Sequence, residues 1–241
     1  MTERHASCAR RLAASVRRAH TLRVCAIACL ALGGCAAAPS RPDPALVRAE
    51  ALALLQTLNA DLLSHDSATA TLERWCADHR LGDPARIVAQ RVPAAPKPLD
   101  AALRVRLDVA PDAALAFRHV RLVCGARVLS EADNWYVPAR LTPDMNRRLD
   151  ATDEPFGRVV KALGFRRQTL SAELLWSPLP PGWESAQGIR RETAAPRIPA
   201  ALLRHTAVLY TSEQKPFSVV VETYTSAVLD FGVWAPLRDP R

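Results

Sequence analysis

The chain has 241 residues, with 32 basic and 24 acidic side chains and an apolar fraction of 49%. This composition is typical of a globular protein and is too apolar for a disordered chain. Only one short N-terminal run resembles a membrane segment, which excludes a multi-span membrane protein. The motifs of nucleotide-binding loops, HExxH metalloproteases and GxSxG esterases are absent, so the sequence excludes those motif-defined classes.

Residues 1–34 have the features of an export signal. Six arginines and a single acid precede an apolar run, Val24 to Leu32, which is too short to span a bilayer. The run leads into Gly33-Gly34-Cys35, which resembles a bacterial lipobox, and we therefore predict lipidation of Cys35. The alternative is an uncleaved amphipathic helix with an incidental cysteine. A genuine leader would place the protein at the cell membrane, facing the periplasm. Resemblance to sorted lipoproteins then favours the outer membrane, because Ala36 and not an aspartate follows the cysteine. Without a genuine leader, the protein is expected to be cytoplasmic.

Removal of the leader would remove most of the positive charge. Six of the 32 basic and one of the 24 acidic residues lie in 1–34, so residues 35–241 carry a net charge of about +3. A nucleic-acid partner is therefore not expected, because such a partner needs a basic face on the folded domain. The predicted organisation is a signal peptide over 1–34, a tether over 35–44 and one monomeric domain over 45–241, which is long enough for a core of its own.

Two helices open the predicted domain. Leucines at helical spacing predict the first, and Asp66 or Ser67 is placed to cap the second. A further short helix begins at Thr142, which is followed by proline at the first turn. The predicted helices are 45–63, 68–78, 142–151 and 158–163.

Apolar residues that alternate with polar ones predict the strands. Prolines predict a loop over 92–98 and an irregular segment over 178–199. Helices followed by mostly antiparallel strands indicate a single α+β domain. The six predicted strands are 103–109, 117–124, 128–137, 168–176, 202–210 and 217–224.

Four short segments resemble, in their order and spacing, the chorismate lyase family over residues 46–229. The resemblance implies an antiparallel sheet with helices on one face, enclosing one small aromatic carboxylic acid. It also implies cleavage of chorismate to 4-hydroxybenzoate and pyruvate, a step of ubiquinone biosynthesis, with no metal and no cofactor. The segments are Asp66-Ser67-Ala68-Thr69, Arg118 to Cys124, Pro155-Phe156-Gly157-Arg158 and Pro216 to Glu222.

The resemblance also implies roles for individual residues. Arg118 would bind the ring carboxylate, and Glu222 would meet the ring 4-oxygen and assist loss of the ring proton. Backbone groups of Ala68 and Phe156 would contact the ligand. Asn134 stands at or beside the position of a second arginine, so one positive charge is missing from the predicted pocket.

Other interpretations of the same residues remain open. The second candidate function is an exported lipoprotein that binds a small aromatic acid or another ligand without catalysis. Arg121 replaces Arg118 if the strand presents its other face, although a buried arginine among Val and Leu needs an anion. Three further cations are expected to be a solvated helix end, and the isolated histidines do not have metal-ligand spacing. These cations are Lys161, Arg166 and Arg167.

Cys76 and Cys124 are the cysteines that follow Cys35. In an oxidising periplasm such a pair suggests a disulfide. The resemblance places Cys124 on a core strand, which slightly favours two buried thiols instead.

Overall fold

The sheet predicted from the sequence forms the centre of the computed structural model, which describes residues 43–185, 196–232 and 234. Helices are α1 (Pro44–Ser64), α2 (Ala68–Asp78), α3 (Ala101–Arg106), α4 (Pro143–Ala151) and α5 (Phe156–Val159). Strands are β1 (Ile87–Arg91), β2 (Ala116–Cys124), β3 (Arg127–Tyr136), β4 (Arg166–Leu174), β5 (Ala201–Tyr210) and β6 (Pro216–Thr225). Short 3-10 helices cover Pro138–Arg140, Val160–Leu163 and Ser226–Leu229. The predicted α+β class with six strands is confirmed.

Two antiparallel meanders make up the sheet. Its strand order is β1-β2-β3-β6-β5-β4, so the first three strands in the chain meet the last three where β3 pairs with β6. Every neighbouring pair is antiparallel. In the central pair Ala132 lies opposite Glu222, and Asn134 lies opposite Val220. The junction of the meanders therefore brings residues far apart in sequence onto one face.

The two long helices cover that face. The buried stripe of α1 recurs every three or four residues, as a helix packed on a sheet requires, and α2 adds Leu72 and Trp75. The predicted cap is confirmed, because the Ser67 hydroxyl accepts the backbone N–H of Ala70. No helix in the described ranges is long and apolar enough to cross a membrane. The stripe of α1 is Val47, Ala51, Leu55, Leu58 and Leu62.

The predicted strand over 103–109 is wrong, because the segment begins as helix α3. The Asp100 carboxylate accepts the backbone N–H groups of Ala102 and Leu103, which fixes a helical first turn. Leu103 and Leu107 then lie one turn apart and pack with Trp135 on the opposite face of the sheet. The alternation of Leu and Val along this segment is compatible with a strand and with a helix, so the period alone led to the wrong prediction. The sixth strand is β1, a short edge strand that the sequence pattern missed.

A disulfide joins α2 to the end of β2, so the preference for two free thiols is wrong. The bond links Cys76 and Cys124, whose Cα atoms are 6.5 Å apart, within the range that a disulfide spans. Gly82 packs against it, since a Cβ there would lie 2.8 Å from the sulfur of Cys124. The pairing depends on how α2 crosses the sheet, and this crossing was not visible in the sequence.

Loss of this disulfide should destabilise the domain substantially. The bond closes a loop of 48 residues, for which chain entropy gives about 4 kcal/mol. We expect the Cys76→Ala/Cys124→Ala variant to lose about that much free energy of unfolding in urea. Wild type in reductant should lose a similar amount, and reductant should not affect the variant. Equal unfolding of wild type with and without reductant, with both native thiols open to alkylation, would contradict the bond.

Candidate functional site

A cavity of about 470 Å³, including its mouth, lies between the inner face of the sheet and the first residues of α2 and α5. Most of its wall is apolar. Strand residues form one side, and the ends of the two helices form the other. The apolar wall consists of Ala68, Val120, Leu122, Ala132, Phe156, Phe165, Leu209 and Val220.

One buried ion pair lies in this wall. Nη2 of Arg167, on β4, donates to Oε2 of Glu222, on β6, at 2.6 Å. The two side chains are only 4% and 8% exposed. The Tyr224 hydroxyl donates to the same carboxylate oxygen at 3.1 Å. The carboxylate thus has two partners, as a buried charge requires.

The charges of this cluster depend on one another. Burial opposes the charge of Arg167, but attraction to Glu222 and the hydrogen bond to its carboxylate outweigh it and raise the arginine pKa above its ordinary value. Burial, and then the nearby Glu222, raise the pKa of Tyr224 well above 10. At neutral pH the cavity therefore presents guanidinium donors beside a carboxylate, and the protonated phenol of Tyr224 donates to that carboxylate from outside the lining.

His205 lies opposite Glu222 in the pairing of β5 with β6. Its Nε2 lies 2.9 Å from Oδ1 of Asn59, an oxygen that only accepts, so we assign the proton to Nε2. Its Nδ1 is buried and has no hydrogen-bond partner among the described residues. Burial, and then the positive charge of Arg167, lower the pKa of His205 to about 4. His205 is therefore neutral under ordinary conditions.

Four of the residues predicted from the sequence line this cavity together: Ala68, Asn134, Phe156 and Glu222. The Ser218 hydroxyl donates to Oδ1 of Asn134 at 2.5 Å. No three His, Cys, Asp or Glu side chains are grouped as metal ligands in the part of the chain that the structure describes. The geometry shows where these residues lie, and the roles expected of them stay predictions.

Arg118 is buried as expected, but it lines a second cavity and does not lie beside Glu222. Arg121 points away from both cavities, is exposed and pairs with Glu131 at 3.1 Å. The cation of the central cavity is Arg167, so the expectation of a solvated helix end is wrong for this residue. The predicted strand began two residues late. Had it begun at Arg166, as β4 does, alternation would have placed Arg167 and Thr169 on one face.

A protein described as uncharacterized protein y4mC, from Sinorhizobium fredii (strain NBRC 101917 / NGR234), is 54% identical over 202 residues. The match covers 83% of this chain and 84% of that protein. The chain belongs to the y4mC family. No family model matches the chain.

Three solved structures of bacterial proteins are similar to this y4mC-family chain. PhnF from Mycobacterium smegmatis is 13% identical with a TM-score of 0.44, covering 73% of this chain and 69% of PhnF. The ligand-binding domain of a GntR-family transcriptional regulator from Bordetella bronchiseptica is 16% identical with a TM-score of 0.37, covering 58% and 82%. YydK of Bacillus subtilis, a possible transcriptional regulator, is 12% identical with a TM-score of 0.36. That match covers 61% of this chain and spans 60% of YydK.

The family recognised from the sequence motifs, a chorismate lyase behind a lipoprotein leader, is wrong. The relative that shows the family is the y4mC protein, and no family model, that of a lyase included, matches the chain. The motifs misled because each one matches a short turn or strand end that many sheets share. The leader, Cys35 and most of the tether lie outside the described residues, so the domain boundaries and the cellular location stay predictions.

Removal of the cavity cation should cost far more than removal of an exposed one. Arg167→Met leaves Glu222 buried without its cation, and we expect the free energy of unfolding in urea to fall by about 3–5 kcal/mol. Adding Glu222→Gln should restore most of the loss. Arg121→Met, which breaks an exposed pair, is the matched control and should cost less than about 1 kcal/mol. Similar losses of unfolding free energy in Arg167→Met and Arg121→Met would contradict a buried ion pair between Arg167 and Glu222.

The free energy of unfolding should fall in weak acid because of His205. Its pKa is about 4 when folded, against an ordinary 6.5. The unfolded chain therefore binds the proton first, and stability is lost as the pH falls from about 6.5 towards 4, by up to about 3 kcal/mol at this residue. His205→Gln should flatten that part of the profile, whereas His65→Gln, at an exposed histidine, should not. Parallel profiles of unfolding free energy against pH for wild type and His205→Gln would contradict the lowered pKa of His205.

Proposed function

We propose that the domain binds a small uncharged molecule, an apolar ring with a hydrogen-bonding end, in the central cavity. The observation that carries this proposal is the Arg167–Glu222 pair in the wall of an otherwise apolar cavity. A buried ion pair is often no more stabilising than a well-packed apolar pair of similar size. A role in ligand binding would explain why the pair is present, because the pair offers donors and an acceptor at one fixed point of the cavity wall.

The lining of the cavity favours a single ring. Its wall is mostly apolar with a few polar groups, as in small-molecule sites. Phe156 and Phe165 lie on the helix side, and Val120, Leu122 and Val220 lie on the sheet side. Flat aromatic surfaces that face β-branched and aliphatic side chains suit a planar apolar body.

The charges in the wall favour an uncharged polar end. Glu222 already neutralises Arg167, and Asp66 adds another acid to the lining. A ligand carboxylate would therefore be buried beside at least as much negative as positive charge. A group that carries both a carbonyl and an N–H, such as a primary amide, matches better. Its carbonyl accepts from the guanidinium of Arg167, and its N–H donates to the carboxylate of Glu222.

Chorismate cleavage has less support from this geometry. Chorismate carries two carboxylates, and Arg167 is the one cation among the residues that line the described cavity. Asn134 supplies no charge at the position where the resemblance implied a second arginine. Release of pyruvate from chorismate by the full-length protein, abolished in Glu222→Gln, would support the lyase over a binding protein.

Two ligands of nearly identical shape test the proposal. We expect 4-hydroxybenzamide to bind the full-length protein at least about tenfold more tightly than 4-hydroxybenzoate at pH 7.5, by titration calorimetry. The reason is the cost of burying a second carboxylate beside Glu222. Glu222→Gln should reverse this order, because it frees Arg167 to hold a carboxylate.

The control for this experiment is Arg121→Gln, which removes an exposed charge away from the cavity and should leave both affinities unchanged. Tighter binding of 4-hydroxybenzoate to wild type would contradict an uncharged ligand and would favour the aromatic acid predicted from the sequence. Binding of neither compound would reject a single-ring ligand with either end.

A further inference from the structure

Arg118 forms the buried part of a second cavity, between β2 and the end of α4. Its side chain lies on the inner face of the sheet, and the residue is only 8% exposed. Its Nε and Nη2 atoms are buried and have no hydrogen-bond partner in the described ranges. A guanidinium without partners is costly to bury, so a cation kept here needs an anion.

Charges of both signs surround this guanidinium. Arg91 and the acids Asp150 and Asp153 line the cavity and are exposed. Arg91 donates to the backbone carbonyl of Asp150. Burial lowers the pKa of Arg118 and Arg91 lowers it further, whereas Tyr136, Asp150 and Asp153 act in the opposite direction. Neither acid lies close enough to pair with Arg118.

The rest of the wall of the second cavity consists of apolar residues and one histidine. Its apolar part includes Val92 and Leu149, which can cover an aliphatic or aromatic body. His119 also lines the cavity, but its Nδ1 lies 2.8 Å from Asp133. The second cavity shares no lining residue with the central one. A ligand bound here would therefore be independent of the one proposed above.

We propose that the second cavity binds a small zwitterionic acid of the amino-acid class. Arg118 holds the carboxylate, and its planar fork matches the two carboxylate oxygens. Asp150 and Asp153 hold the ammonium group at the mouth, where they would repel a ligand that carried only negative charge. Val92 and Leu149 cover the side chain.

Three compounds dissect this site: phenylalanine, 3-phenylpropionate, which has no ammonium group, and phenethylamine, which has no carboxylate. We expect saturable binding of phenylalanine to the full-length protein by titration calorimetry at pH 7.5. Each partial compound should bind at least about tenfold more weakly, because one charged contact is missing. Equal binding of phenylalanine and 3-phenylpropionate, or no binding of phenylalanine, would overturn the proposal.

Arg118→Met separates a binding role from a structural one. It should abolish phenylalanine binding and raise the Tm of the ligand-free protein by about 2–4 °C, because an unpaired buried charge is removed. Arg121→Met, on the same strand, should do neither. Unchanged binding, or a lower Tm with binding retained, would overturn the proposal.

A second variant covers the case in which Arg118→Met does not fold. Asp150→Asn/Asp153→Asn removes both acids at exposed positions. It should weaken phenylalanine binding to the level of 3-phenylpropionate. A tenfold preference for phenylalanine that persists in this variant would overturn the assignment of the ammonium group.

Discussion

The buried contact between Arg167 and Glu222 constrains the rest of the central cavity. The two residues lie on β4 and β6 with β5 between them, so their side chains meet only if all three strands keep their register. A shift of register would leave a buried charge without its partner, which would lower the free energy of unfolding. The ion pair therefore stabilises this register in addition to apolar packing. Burial is the main reason why Tyr224 stays a protonated donor and His205 a neutral imidazole, and the charges of Glu222 and Arg167 respectively add to these two pKa shifts.

The packing of the helices on the sheet explains why a cavity remains above that pair. The leucines of α1 and the first half of the sheet fill one core cluster, and Phe217 with residues of α4 and α5 fills another. The cavity lies where the first residues of α2 and α5 approach each other. Gly157 permits this approach, because a Cβ there would lie 3.2 Å from the Ser67 hydroxyl. Small residues at the helix ends therefore leave the space that a ligand would need.

The two cavities differ in how their arginines are satisfied. Arg118 and Asn134 lie opposite each other on β2 and β3, yet they line different cavities. Arg167 has a carboxylate within hydrogen-bonding distance, whereas Arg118 has none. This contrast favours an uncharged ligand in the first cavity and a carboxylate in the second. One strand pairing thus contributes a residue to each of two cavities that differ in their charges.

The sequence by itself determined what depends on local contacts. Caps such as Ser67 and Thr142, and alternation along β2, β3, β5 and β6, predicted most elements and the α+β class, because these signals act within a few residues. Only the tertiary structure decided which charges meet. Arg167 and Glu222 are 55 residues apart, and the sequence pattern does not reveal the order of strands in the sheet. The same order moved Arg118 to a separate cavity, since the position of a side chain depends on its neighbouring strands and covering helix as well as on its own alternation.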